Sequence, residues 1–211
     1  MKILSVNVEK YGYVLPDLTP PVMIETYFSP AFCDKILEVA ALSTMFQSGV
    51  YNSDLSEGVN VYHRSSKACH VPFPVYSEMV RALERMMAYL VLPQTNFSSI
   101  KISEAVQFLQ YDDVSNGHFK AHTDNAYFDS EGKFIYTNPN RTFTSILYLN
   151  DDYEGGQLVL NSVLGDDDHP IVLKPSKGQV VIFPADIRFT HEVLPVTKGK
   201  RYSIVGWYKA Q

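Results

Sequence analysis

The sequence predicts a mainly β fold with supporting helices, a sandwich or barrel carried by the C-terminal half. Three observations predict it. From about Ile100 onward, short β-prone runs separated by turns replace helical periodicity. Two amphipathic helical stretches lie upstream, and no long helix interrupts the β runs, which argues against βαβ units. With 211 residues, 45% of them apolar, and 14 Tyr and 12 Phe, the chain is long enough to bury a good core.

In order, "SPAFCDKILEVAALSTMF" reads as a helix in which Ser29 caps the first turn and Pro30 fits inside it. Phe32, Ile36, Val39 and Ala40 recur on its apolar face. "PVYSEMVRALERMMAYL" is a second helix, with Met79, Val80, Leu83, Met87 and Leu90 as its apolar side. Between them, "QSGVYNSDLSEGVNVYHRSSKACHVPFP" lacks helical periodicity and reads as short strands with a mobile loop. The β runs follow: "AVQFLQY", "GHFKAHTD", "RTFTSILYLN", "GQLVLN", "HPIVLKP", "GQVVIFP", "THEVLPV" and "KRYSIVGWYK". Glu154–Gly156 and Lys177–Gly178 look like turns, and "DDDH" at 166–169 like a solvated loop. The expected organisation is a single domain over 1–211. Residues 1–99 form supporting helices and an entrance segment, and 100–211 the β core.

Charge and cysteine content narrow the partners. Eighteen basic residues against 23 acidic ones give a net charge of −5, with no basic cluster, which argues against nucleic acid as partner. Cys33 and Cys69 have no zinc-like spacing and need not pair. The opening "MKILSVNVEKYGYVL" is too short and too polar for a signal peptide, and nothing later reaches transmembrane length. A cytoplasmic setting with no membrane partner is the expectation.

The chemistry centres on "GHFKAHTDNAYFD", Gly117 to Asp129. On a strand, residues two apart share a face, so His122 and Asp124 can point the same way. His191, opening "HEVLPV", supplies a second imidazole from a plausibly adjacent strand. Two histidines and one carboxylate make an iron site with open coordination positions; the same set could hold zinc. Zinc hydrolysis, however, lacks an evident general base beside the ligands. Arg201 lies ten residues beyond His191, and alternation puts Arg201, Ser203, Val205 and Trp207 on one face of an otherwise apolar strand. A buried arginine there calls for an anion, and its planar fork suits a carboxylate. The alternative is an edge arginine paired to a protein acid.

These linked motifs resemble the iron(II)- and 2-oxoglutarate-dependent dioxygenases, in particular the prolyl 4-hydroxylase-like branch. The resemblance runs from about Val106 to Tyr208: Tyr111, "GHFKAHTD", "RTFTSILYLND", "EGGQLVL", "KGQVVIFP" and "THEVLPVTKGKRYSIVGWY". It implies a double-stranded β-helix core (jelly-roll, cupin-like). It also implies iron(II) held by His122, Asp124 and His191, and 2-oxoglutarate gripped through its far carboxylate by Arg201 and Tyr148. Tyr111 matches a tyrosine lining that pocket, with an ordinary strand aromatic as the alternative. Thr144, four residues before Tyr148 and so on the same face by alternation, is a further candidate to reach the co-substrate. Trp207 resembles a tryptophan on the substrate side and fits a core position equally. Asn125 and Tyr127 either contact substrate or continue a loop, and Arg64 either lines the entrance or forms an exposed salt bridge. Gly155 and Gly156 match a structural GG turn. The implied reaction is hydroxylation of a C–H bond using O2, with succinate and CO2 released and ascorbate in a supporting part. The expected substrate is a prolyl or related residue in a peptide or protein. A free amino acid or natural-product molecule is the alternative, and a non-catalytic binding module on the same fold a remote one.

Overall fold

The computed structural model describes residues 2–3, 22–51, 57–129, 131 and 133–211. Most of the opening segment (4–21), and 52–56 within the expected entrance loop, lie outside the described residues. Two helices, α1 (Pro30–Ala41) and α2 (Val75–Leu90), accompany two large antiparallel sheets. In chain order the strands of those sheets are β1 (Lys2–Ile3), β2 (Met23–Thr26), β3 (Met45–Gln47), β4 (Arg64–Ser65), β5 (Lys67–Cys69), β6 (Ile100–Ile102) and β7 (Gln107–Asp112). Then come β8 (His118–His122), β9 (Phe143–Tyr148), β10 (Leu158–Leu164), β11 (Pro170–Leu173), β12 (Gln179–Pro184), β13 (His191–Val193) and β14 (Lys200–Ala210). The eight runs read from the sequence are β7 to β14.

The six-stranded sheet has the order β1-β10-β13-β8-β4, with β11 also on β10. The eight-stranded sheet has the order β2-β12-β9-β14-β7-β5-β3, with β6 also on β14. Neither sheet closes: the first ends on β1 and β4, the second on β2 and β3, and no ladder joins them among the described residues. The expected double-stranded β-helix core, jelly-roll and cupin-like, is therefore corrected to a mixed α/β fold dominated by open antiparallel sheets. The reason is physical. Alternation within a run states which residues share a face, whereas closure depends on which distant edges pair, and local sequence does not carry that. The residues before Ile100 also do more than support. They supply β2, β3 and β5 to one sheet and β1 and β4 to the other.

Packing follows the periodicities. The Ser29 side chain accepts from Phe32 N, Pro30 occupies the first turn of α1, and Cys33, Ile36 and Ala40 are buried. On α2 the buried residues are Met79, Leu83, Met86 and Met87. Both helices cover one face of the eight-stranded sheet, against Phe108, Phe143, Leu147, Ile182, Ile204 and Tyr208. The opposite face, with Leu109, Ile146, Val181 and Val205, meets Leu158, Leu160, Val163 and Val193 of the six-stranded sheet. Each fully buried side chain of this size contributes about 1.5–3 kcal/mol. Strand β9 is thus buried along its whole length, and only the inner faces of the two sheets can enclose a site.

The turn from β7 into β8 sets the height of β8. Asp112 Oδ1 accepts from Ser115 N (2.8 Å) and Ser115 Oγ (2.7 Å), and Oδ2 accepts from Gln110 Nε2 (3.0 Å). Burial pushes this carboxyl up, but the Ser115, Gln110 and Lys67 hydrogen bonds outweigh it and hold it down to about 2. Gly117 then returns the chain so closely that a Cβ there would lie 2.6 Å from Asp112 N. Gly117→Ala is expected to lower stability by about 1–3 kcal/mol, read as an earlier urea midpoint; an unchanged midpoint contradicts the close approach. Because the folded Asp112 value lies below the unfolded one, its contribution is complete above about pH 4 and is lost as pH falls towards 2. Asp112→Asn should therefore cost stability at pH 7 and progressively less below pH 4, a convergence visible in urea titrations across that range.

Candidate metal centre

His122 ends β8 and His191 opens β13, and the two face each other as Cα partners of the antiparallel ladder. The register shifts between Phe119 and His122, which brings the rings together at the sheet end. Asp124 does not share a strand with His122, as the two-residue spacing suggested. β8 stops at His122, and Asp124 lies in the bend that follows. Neighbours fix that bend. Asn125 N donates to Ala185 O (3.1 Å), Arg141 Nη1 donates to Asp124 O (3.0 Å), and Thr144 Oγ1 donates to Asp124 Oδ2 (2.6 Å).

The result is a compact donor set. His122 Nε2 lies 3.9 Å from Asp124 Oδ1 and His191 Nε2 lies 3.9 Å from Asp124 Oδ2, and one ligand atom from each residue falls within 4.8 Å of the others. Both imidazoles use one device. His122 Nδ1 donates to Lys120 O (2.8 Å) and His191 Nδ1 to Phe189 O (2.9 Å), each a carbonyl two residues earlier. That fixes the tautomer and turns Nε2 towards the carboxylate. Burial, then the neighbouring His191, hold His122 well below the usual histidine range, so it is neutral. Burial alone would push Asp124 up, but His191, His122, Arg141 and the Thr144 hydrogen bond together hold it low and ionised. Two imidazoles and one carboxylate, with Nε2 atoms left over, fit a divalent transition metal with open positions.

Across the cavity, on the eight-stranded sheet, lies a buried cation. Arg201 is 1% exposed, its guanidinium carbon 4.7 Å from the Tyr148 ring centroid and 5.0 Å from that of Tyr111. Register explains the grouping: Arg201 pairs with Tyr111 across β14–β7, and Tyr148 with Ser203 across β9–β14. Arg201 Nη1 donates to Ser203 Oγ (3.1 Å), Nε has no partner, and no carboxylate pairs with the side chain among the described residues. The Tyr148 hydroxyl, also buried, makes no well-formed hydrogen bond and has the Arg201 guanidinium beside it. A buried cation without an anion is costly, so this pocket fits an organic carboxylate. The glycines hold it in shape: a Cβ on Gly155 would come 2.2 Å from Pro195 O, and one on Gly156 3.1 Å from Arg201 Cδ.

The other sequence-predicted residues divide. Arg64, Tyr111, Thr144 and Trp207 line the cavity with the two histidines and Asp124. Arg64 is buried, not an exposed ion pair: Nε donates to Ser66 Oγ and Nη1 to Gly49 O, and its guanidinium sits 4.7 Å from the Phe119 ring. Thr144 is engaged by Asp124. Asn125 is buried below the cavity, donating to Arg141 O, and Tyr127 sits half-buried on the short strand Ala126–Phe128. Three residues escaped the sequence reading. Phe119 stacks on His122 at 3.6 Å, and Arg141 covers the Trp207 ring at 3.9 Å while bridging to Glu104 at 2.6 Å. Tyr153 is buried near Arg201. Phe119, three residues before His122, has the opposite parity, and the register shift between them brings the two together, which alternation cannot foresee; Arg141 and Tyr153 sit in irregular segments, where periodicity is silent.

Fold and site together define a protein with a His/Asp/His metal-ligand set opposite a buried carboxylate-seeking arginine. The family description "2OG-Fe(II) oxygenase superfamily" matches residues 106–209, and the chain belongs to that superfamily. The chain is 31% identical over 93 residues to human prolyl 3-hydroxylase 2, covering 41% of this chain and 13% of that protein. It is 33% identical over 92 residues to a PKHD-type hydroxylase of Saccharophagus degradans, covering 44% of this chain and 38% of the relative. The chain therefore spans well under half the length of these relatives. Among solved structures, a prolyl hydroxylase in complex with a hypoxia inducible factor peptide fragment from Trichoplax adhaerens matches with a TM-score of 0.67 at 20% identity, covering 90% of this chain and 84% of that one. A Pseudomonas putida prolyl-4-hydroxylase matches with a TM-score of 0.62 at 18% identity, covering 92% and 94%. At these identities the structures share the fold. Thr144→Val keeps side-chain shape but removes the donor to Asp124. Ferrous-iron affinity should fall about tenfold to a hundredfold in an anaerobic competition titration, and an unchanged affinity contradicts the role.

Proposed function

We propose that this chain is an iron(II)- and 2-oxoglutarate-dependent hydroxylase acting on a peptide or protein, with a prolyl or related residue as the target. The observation that carries the reading is Arg201, a buried cation with no counter-ion among the described residues, facing the His122–Asp124–His191 set across one cavity. A 2-oxo dicarboxylic acid has the two ends this arrangement calls for. The choice of a peptide is supported by the peptide complex of the Trichoplax relative, and that of proline by the names of the relatives.

In this reading His122 and His191 ligate iron through Nε2 and Asp124 through its carboxylate. Thr144 orients that carboxylate by donating to Oδ2. Arg201 and the Tyr148 hydroxyl hold the far carboxylate of 2-oxoglutarate, and Tyr111 walls the pocket between them. Bound iron, with 2-oxoglutarate and O2, supplies oxidative decarboxylation to succinate and CO2 coupled to hydroxylation of the substrate C–H bond. The protein's part is to keep the ligands deprotonated, orient the co-substrate and exclude water by packing the cavity between two sheets. Arg64 and Trp207, on the cavity wall, are the proposed substrate-side contacts, with Asn125 and Tyr127 behind them.

His122→Ala is expected to abolish succinate release, whereas Arg201→Gln should raise the 2-oxoglutarate concentration for half-maximal rate at least about tenfold, the worth of about 1.4 kcal/mol. Succinate release measured against co-substrate concentration checks both. A fully active His122→Ala enzyme would sink the assignment.

A further inference from the structure

Beside Arg201 lies a second buried hydroxyl that no role described so far uses. Tyr153 is 3% exposed, and its hydroxyl, like that of Tyr148, makes no well-formed hydrogen bond, with the Arg201 guanidinium as its polar neighbour. It is held beside Arg201 by the GG turn. A Cβ on Gly156, whose φ is +64°, would meet Arg201 Cδ at 3.1 Å and Tyr153 Cε2 at 3.2 Å, so the arginine stem and the tyrosine ring flank the same glycine. From the other side, Lys174 Nζ donates to Tyr153 O (2.6 Å) and lies 5.1 Å from the centre of its ring. The ring is thus fixed by backbone and packing contacts, none of which involves the hydroxyl.

Buried hydroxyls without partners are rare, because each costs about 1–3 kcal/mol. Here two of them gather around the one Arg201 guanidinium, whose Nε is itself without a partner. We propose that the Tyr153 hydroxyl is a co-substrate-binding group, a third donor to the terminal carboxylate alongside Arg201 and Tyr148. This rests on the 2-oxoglutarate reading above and deepens it. Burial pushes the Tyr153 phenol up to about 12 although Arg201 pulls it down, so at neutral pH it carries its proton and can donate. One guanidinium and two neutral hydroxyls give the cage a single positive charge, matched to one carboxylate rather than to a dianionic phosphate.

Tyr153→Phe removes only the oxygen and keeps the ring in its packing, so it separates binding from structure. Three measurements apply to the variant: thermal melting without ligand, anaerobic calorimetry of 2-oxoglutarate on the iron(II)-loaded protein, and iron(II) affinity. The expected result is an unliganded melting temperature equal to or above wild type, unchanged iron affinity, and 2-oxoglutarate binding weaker by about tenfold. A lower melting temperature, or failure to fold, would make the hydroxyl structural and overturn the proposal. Unchanged 2-oxoglutarate affinity, with Arg201→Gln still losing it, would overturn the Tyr153 role and leave the co-substrate reading standing. Absence of 2-oxoglutarate binding by the wild-type protein would overturn both.

Discussion

The site depends on a positive charge buried where the described residues offer it no negative one. Arg201 sits within the most heavily buried sheet, 1% exposed, among tyrosine rings and beside orphaned hydroxyls. A guanidinium desolvated in this way would normally be tied to a protein carboxylate. The nearest buried carboxylate described in the cavity, Asp124, is committed to two histidines and Thr144. The charge is therefore reserved for a ligand, and the glycine turn at 155–156 and the pairing of β14 with β7 and β9 keep it in place.

The architecture divides the labour between sheets. The six-stranded sheet presents both imidazoles, from two neighbouring strands in register. The eight-stranded sheet presents the arginine, both flanking tyrosines and Thr144. Thr144 links the two halves, because its hydroxyl on β9 orients the carboxylate that follows β8. A rigid separation between metal end and carboxylate end is then a property of how the two inner faces pack. The α1 and α2 helices pack on the far face of the larger sheet, and Cys33 of α1 donates to the Tyr148 carbonyl from that side.

Much of this was legible from residue order. Period-two alternation placed Arg201, Ser203, Val205 and Trp207 on one face, and all four line the cavity. The eight β runs became eight strands, both helices formed where their apolar stripes lay, and Ser29 capped the first. Three things were not legible, each for a stated reason. The open edges of the sheets depend on long-range pairing, so the expected closed jelly-roll did not appear. Asp124 reaches the histidines from a bend stabilised by Arg141, Thr144 and Ala185, residues 17 or more positions away. Tyr153 follows no strand pattern; only three-dimensional burial reveals its unpartnered hydroxyl. Thr144 was legible as a cavity residue, yet its partner turned out to be the Asp124 carboxylate.

The central claim is that one small molecule spans the two sheets, its 2-oxo acid end on the His122–Asp124–His191 set and its far carboxylate on Arg201. An anaerobic crystal structure with 2-oxoglutarate and manganese(II), a redox-quiet stand-in for iron(II), tests it most directly. The account predicts the metal bound by those three residues and the far carboxylate within hydrogen-bond distance of Arg201. Metal bound elsewhere, or 2-oxoglutarate seated with Arg201 still unpaired, would contradict it.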